Sequence, residues 1–341
     1  MNFVGIDLHK RIIVLCFVNE QRQVVARRKW ACDQVELMRD YFAQLKPFTA
    51  VIEATASYEW LWQLLEPLAQ RLVLAHPKKL RVIAESTRKS DKIDAQVLAE
   101  FLALDMIPAA YRPTPRQREH RVLVRHRQAV QQRITGLKNR LRHVLGNYNA
   151  DRADLFSEAG GEYLRSLKLS ASDRFLADDL VEELKQQSKR LGEANDRLKK
   201  FAAKAPSAEA EARAVLATIP LIGPVTIDVV LSELGDARRF RSQKKAVTYA
   251  GLAPGRRGSA GKFHDLGIAK EGSRLLRWAL VEAAWRLVGK TRHWGSLYER
   301  LKARCGAKKA IVAVARRLLC VMISMLHRGE RYRLSLAEQA G

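Results

Sequence analysis

Three apolar runs open the chain before any helical spacing begins: "FVGIDL", "IIVLCFV" and "QVVARRKW", the last two joined by the turn-like "NEQR". Runs this short, rich in β-branched and aromatic residues, suit strands and leave no room for helices between them. The pattern then changes. "QVELMRDYFAQL" has helical spacing, "TAVIEA" reads as a strand, "YEWLWQLLEPLA" as a helix, "RLVLAH" as a strand and "DKIDAQVLAEFLAL" as a helix. Residues 1–107 are therefore expected to form an α/β domain, with three antiparallel-looking strands first and alternating helices and strands after them.

This is the order of an RNase-H-like sheet, and the acids give it a chemical meaning. Asp7 ends the first strand, Glu53 ends a later one, and Asp91 and Asp94 stand three apart at the start of a helix, projecting to one side. In such a sheet, neighbouring strand ends and one adjacent helix converge on a single point. Four carboxylates meeting there repel one another unless cations sit among them. Two magnesium ions about 3.5–4 Å apart answer that need and clamp both oxygens of a phosphoryl transfer. Oxygen ligands suit magnesium. Singly, each acid also has a plainer explanation. Asp91 suits an N-cap with Asp94 at the third helical position, Asp7 a turn, and Glu53 a helix N-terminus. His9, beside Asp7, is a candidate neighbour of the site.

Lys and Arg number 61 against 36 acids, a net charge of +25. That excess points to a polyanionic partner, most simply nucleic acid. It is also unevenly placed, with ten Lys or Arg and one acid, Glu119, between Arg112 and Arg142. Pro108, Pro113 and Pro115 mark a linker before this segment. A long helix is expected from Arg116 to about Gly146. Val122, Val130, Ile134, Leu137, Leu141 and Val144 lie on its packed face, and Arg121, Arg125 and Arg133 are set to hold a nucleic-acid backbone. A second long helix, Asp173 to Phe201, carries Leu184, Leu191 and Leu198 seven apart, with Val181, Ser188 and Asn195 as weak partner positions. This spacing suits a coiled-coil hairpin, so residues 108–205 read as a helical, coiled-coil middle.

Residues 206–341 read as mostly α. "VLATIPLIGPVTIDVVLSEL" suggests helix, tight turn, helix, similar to a helix-hairpin-helix that offers backbone N–H groups to a phosphate. Next comes "GLAPGRRGSAGKFHDLG", a basic, glycine-rich loop with one serine, Ser259. It nearly spells a nucleotide-binding P-loop. However, Phe263 replaces the hydroxyl residue after Gly261-Lys262, and Arg256 stands where the first glycine belongs. Gly255, Gly258 and Gly261 allow the loop to move or to approach DNA closely, while Arg256, Arg257 and Lys262 are placed to hold phosphates. The four cysteines, Cys16, Cys32, Cys305 and Cys320, form no C-x-x-C pair and read as small apolar residues in a reducing compartment. The N-terminus has no apolar signal core, and the run from Ala310 to Leu326, broken by Arg316-Arg317, reads as too short and too charged to cross a membrane. A soluble cytoplasmic protein is expected.

The motifs "GIDLHK", "VIEATASYEW" and "RKSDKIDAQVLAEFL" resemble the RuvC-like domain of transposases of the insertion sequence 110 family, including its 1111 subgroup. "TIPLIGPVTIDVVLSELGD" and "TYAGLAPGRRGSAGKFHDLGIAKEGSRLLRWALVEAAW" resemble that family's C-terminal transposase domain. The resemblance implies a D-E-D-D metal site at Asp7, Glu53, Asp91 and Asp94, and a nucleophilic serine at Ser259 that joins covalently to a DNA phosphate. It further implies strand exchange through a junction, guidance by a structured non-coding bridge RNA, and dimers and tetramers in which the serine of one subunit completes the acidic site of another. The chain departs from the family pattern at Leu221, where glycine is usual, and in the Ala-Gly that follows Ser259. Two other readings share its features: an RNase-H-like nuclease or junction resolvase using water as nucleophile, and a non-enzymatic basic nucleic-acid-binding protein.

Overall fold

The computed structural model describes residues 1–45, 47–55, 57–83, 91–259 and 262–333. It divides into two compact units, Met1–Arg112 and Pro113–Gly341.

The first unit holds β1 (Asn2–Leu8), β2 (Ile12–Val18), β3 (Val24–Ala31), α1 (Val35–Gln44), β4 (Phe48–Glu53), α2 (Glu59–Leu65), β5 (Arg71–Ala75), α3 (Pro77–Ile83) and α4 (Asp91–Ala103). Its sheet has the order β3-β2-β1-β4-β5. β1 is antiparallel to β2, and β1, β4 and β5 are mutually parallel. Central β1 and β2 are covered on both faces, which is why they are continuous apolar runs rather than alternating ones. On one face Val4, Ile6, Ile52 and Leu74 meet Met38 and Phe42 of α1 and Leu61 and Leu65 of α2. On the other, Val14, Cys16, Val51 and Val73 meet Ala95, Leu98, Ala99 and Leu102 of α4.

Gly5 sets the closeness of α4. A Cβ there would stand 1.9 Å from Ala95 O and 2.5 Å from Ala99 N, so no side chain fits beneath the helix. The stretch expected as a linker after Pro108 instead completes this unit. Ala109 bridges Ala75, and Arg112 lies over the Trp62 ring at 4.8 Å while donating to Glu59 and Glu66.

The second unit holds α5 (Pro115–Gly146), α6 (Glu158–Ser166), α7 (Ala171–Ala203), α8 (Ser207–Ala217), α9 (Pro224–Leu234), α10 (Gln243–Tyr249), β6 (Pro254–Ser259), β7 (Lys262–Ile268), α11 (Arg274–Lys290), α12 (Arg292–Cys305) and α13 (Ala307–Arg328). α5 starts where its sequence directs. Thr114 accepts from Gln117 N, and Pro115 occupies the first turn. α5 and α7 pair antiparallel, with Arg116 over Phe201 at one end and Leu141 and Leu145 against Ala177 and Leu180 at the other.

Two expectations about these helices need correction. The seam of α7 runs through Leu180, Gln187 and Ala194, four before each heptad leucine, whereas Ser188 and Asn195 are exposed. Val122 is 66 % exposed and Val124 is buried instead. The start of α5 follows a second partner, α9, through Gln117 and His120, and this rotates the buried stripe. Because Val124 and Leu198 share a core with α9, α11 and α13, the middle helices belong to the same compact unit as the C-terminal ones.

α13 extends well beyond the run read from sequence. Its 22 residues make it long and apolar enough, by length and composition, to cross a membrane. In the fold it is instead a core helix, with Ile311, Val314, Leu318, Val321, Met322 and Met325 buried.

Candidate active site

The register of the sheet carries the two strand acids to neighbouring strand ends. β1 and β4 run parallel with Asn2 opposite Phe48 and Ile6 opposite Ile52, so the same offset sets Asp7 beside Glu53. Neighbouring strands lie about 4.8 Å apart, and matched positions point to the same face. That face is the one α4 covers, because Asp7 is two residues from Gly5, on which Ala95 rests. α4 runs back along β1, grouping Ala103 with Phe3 and bringing Ala95 over Gly5. Its first turn, with Asp91 and Asp94, is therefore carried toward the strand ends that bear Asp7 and Glu53.

The side chains differ in surroundings. Asp7 is only 7 % exposed and accepts a hydrogen bond from His9 Nε2 at 3.0 Å, so the neighbour suspected from sequence is in contact. Glu53 is half-buried and Asp94 exposed, while the side chain of Asp91 lies outside those described. Among the described residues, no three His, Cys, Asp or Glu side chains stand close enough together to hold an ion. The structure thus brings Asp7 and Glu53 together and points α4 at them, without gathering all four. Two carboxylates at adjacent register positions are a hard-oxygen donor pair. Close by, Thr55 Oγ1 is a buried hydroxyl with no protein partner among the described residues. This donor set fits a hydrated divalent cation better than a soft metal.

The segment around Ser259 is not the loop expected from its glycines. β6 and β7 form an antiparallel hairpin in which Arg256 pairs with Asp265, Gly258 with Phe263, and Ser259 with Lys262 as the last pair before the turn. Ala260 and Gly261 lie outside the described residues, as do the side chains of Arg256, Arg257, Ser259 and Lys262. The base of the hairpin is clamped. Gly251 has φ +69°, and a Cβ there would stand 2.7 Å from Gly272 N. Arg277 donates to Ala250 O and Gly272 O. A fixed base and a terminal serine put Ser259 at the far end of a two-stranded arm. The glycine count signals backbone freedom but does not say where that freedom is used. Gly255 and Gly258 lie within a strand, and the clamping glycines are Gly251 and Gly272.

The turn between α8 and α9 takes the expected shape, with Gly223 as N-cap and Pro224 opening α9. Leu221 occupies the left-handed region at φ 63° and is 46 % exposed. A non-glycine residue there carries about 1–2 kcal/mol of strain.

The three arginines chosen for nucleic acid separate. Arg121 is committed inside the unit, donating to Ser232 O and Glu233 O at the C-terminal end of α9 and to Tyr249 Oη of α10. Arg125 forms a bidentate pair with the buried Glu233 at 3.0 and 3.1 Å. Arg133 is exposed, as is Arg140 seven residues on along the same face. Arg121 thus holds helices together, while Arg133 and Arg140 lie on the exposed face of α5. Replacing Arg133 and Arg140 with Gln is expected to flatten the slope of log affinity against log salt by about 1.8 for duplex DNA, from two lost phosphate contacts. Arg121→Gln is expected to lower the melting temperature without that flattening. Both follow from salt titrations and thermal melts of the three proteins.

Comparison with known proteins gives this arrangement a class. Residues 4–150, which span the sheet, α4 and α5, match a family profile described as a transposase and named for its DEDD acids. Residues 213–299, which include the serine hairpin, match the profile described as "Transposase IS116/IS110/IS902 family". The chain is a transposase by both matches, and it belongs to the IS110 family. It is similar along its length to the transposase for insertion sequence element IS1111A of Coxiella burnetii, 26 % identical over 98 % of this chain and 92 % of that one. It is also 26 % identical to a probable family 20 transposase of Pseudomonas aeruginosa, over 97 % of this chain and 98 % of that one. A pilin gene-inverting protein of Moraxella lacunata is 24 % identical over 97 % of each chain. The transposase class implies DNA as substrate, and the DEDD domain implies a divalent metal.

Proposed function

We propose that this transposase is an RNA-guided, site-specific recombinase that cuts and exchanges DNA strands through a covalent phosphoserine linkage at Ser259. The observation that carries the reading is the parallel β1–β4 register, whose last pair, Ile6 with Ile52, leaves Asp7 and Glu53 next in line on the sheet face that α4 approaches. The order β3-β2-β1-β4-β5, with its antiparallel first three strands, supports a RuvC-like, RNase-H-like domain. The antiparallel α5–α7 pair supports a coiled-coil middle.

In this reading Asp7, Glu53, Asp91 and Asp94 hold two magnesium ions. When bound, such ions polarise a phosphate and lower the pKa of a hydroxyl near them. Asp7, which accepts from His9, and Glu53 would hold the ions, which would supply a Lewis acid for the scissile phosphate. The Ser259 oxygen attacks phosphorus as its proton passes to solvent or a nearby base. The phosphodiester P–O bond breaks, and the departing sugar oxygen takes up a proton. Ser259, the last paired residue of its hairpin strand, and the acids belong to different compact units. Completion of the acidic site by the serine of another subunit, within dimers and tetramers, agrees with that division. The relative named for pilin gene inversion supports recombination rather than simple cutting.

A structured guide RNA supplies target choice in this reading, and the surplus of 61 basic residues over 36 acids suits two kinds of nucleic acid at once. The test is reconstitution. Purified protein, donor and target DNA are combined with magnesium, with and without RNA transcribed from the DNA flanking the reading frame. Recombinant product is expected only with that RNA, and changing its pairing segments is expected to redirect the product. Equal recombination after ribonuclease treatment would contradict RNA guidance.

A further inference from the structure

We infer that Thr55 is a positioning residue of the acidic site, its hydroxyl holding a water on the bound divalent ion beside Glu53. The inference rests on the divalent-ion reading of Asp7 and Glu53 given above. Thr55 follows the end of β4 by two residues, and its N–H turns back to Glu53 O at 2.8 Å, which keeps the two residues together. The neighbouring strand anchors the same corner, Ala54 N donating to Ala75 O at 3.0 Å.

Within this tied-down corner, Thr55 Oγ1 is buried and has no hydrogen-bond partner among the described residues. A hydroxyl is both donor and acceptor, and leaving one buried and unpaired costs about 1–3 kcal/mol. Valine would keep the shape of this half-buried residue without the polar atom. The adjoining strand end repeats the pattern, since His76 Nδ1, one residue past β5, is also buried without a partner. Two unsatisfied polar atoms thus lie just past the neighbouring ends of β4, which carries Glu53, and β5, and suit a partner beyond the described residues. A hydrated hard cation supplies one, because its waters accept and donate at distances beyond its own ligands.

The inference separates stability from ion affinity, which an ordinary buried hydroxyl does not. The experiment uses the full chain with Mn2+ alone, titrated by calorimetry, and thermal melts in EDTA. Thr55→Val is expected to weaken Mn2+ about tenfold, within the range of groups that orient metal ligands, while leaving the melting temperature in EDTA unchanged or raised. Thr55→Ser is expected to restore affinity to near the parent value. Thr55→Ala provides a second chain lacking the hydroxyl and is expected to weaken Mn2+ as the valine variant does. Glu53→Gln is the control on the site itself. If Glu53→Gln weakens Mn2+ and neither Thr55→Val nor Thr55→Ala does, the Thr55 inference is overturned and the acidic site stands. If none of the three changes Mn2+ affinity, the acidic site fails and the inference with it. A Thr55→Val chain that melts well below the parent or does not fold, with Thr55→Ser normal, shows a hydroxyl bonded within the protein and also overturns it.

Discussion

Replacing Asp7 with Asn, Glu53 with Gln or Asp94 with Asn is expected to cut DNA strand cleavage by about a thousandfold or more, the loss of about 4 kcal/mol of transition-state stabilisation. The folds should survive. Asp7→Asn keeps the shape of a side chain that touches His9, and Asp94 is exposed. Affinity for nucleic acid should change little, because backbone phosphates are held by basic side chains, of which Arg133 and Arg140 are exposed, and not by acids. The effects should also be strongly non-additive, since a double variant has no further site to lose. Cleavage assays in magnesium, paired with filter binding of the same proteins, separate the two quantities. Near-parent cleavage in all three variants, or undiminished cleavage in excess EDTA, would overturn the metal reading.

The second large effect concerns the hairpin. Ser259→Ala is expected to lose recombination and all covalent protein–DNA product while binding metal, guide and target as the parent does. Ser259 is the last paired residue before the hairpin turn, and replacing it with Ala leaves the backbone pairing with Lys262 intact. The base, clamped by Gly251, Gly272 and Arg277, is untouched as well. Loss of activity then reports loss of the nucleophile rather than of the arm. Ser259→Cys is expected to keep a trace of cleavage, since a thiol is a nucleophile but prefers softer metals. Denaturing gels of each protein with a cleavable target resolve these outcomes. A water-using nuclease gives the opposite pattern, with Ser259→Ala cutting at near the parent rate.

Much of the first unit is legible in the sequence because its sheet is covered on both faces. "FVGIDL", "IIVLCFV" and "TAVIEA" match β1, β2 and β4 to within a residue or two, since each is an apolar run bounded by polar residues. The acids at the strand ends were visible for the same reason. That Asp7 faces Glu53 was not, because pairing between distant strands leaves no local mark. α3, with its basic "PKKLRVI", carries too little periodicity to be seen. In the second unit the limits are of another kind. An arginine on an amphipathic helix looks like a nucleic-acid contact whether it faces solvent, as Arg133 does, or the carbonyl end of α9, as Arg121 does. Only the fold shows the buried Glu233 with which the exposed Arg125 pairs. The hairpin was hidden because its glycines imitate a loop, and its strands, PGRRGS and KFHDLGI, lack the alternation that signals a strand pair.

The central claim is that DNA becomes joined to Ser259, and the most direct test is to isolate that junction. Parent protein is reacted with a labelled target and donor, quenched in denaturant and digested with trypsin, which should release Gly258-Ser259-Ala260-Gly261-Lys262. The expected result is that peptide carrying a nucleotide through a phosphodiester on the serine, absent from Ser259→Ala and from reactions in EDTA. Cleaved ends with free phosphate that has taken oxygen from isotopically labelled water, and no DNA-linked peptide, would contradict the claim and leave a metal-dependent nuclease as the better description.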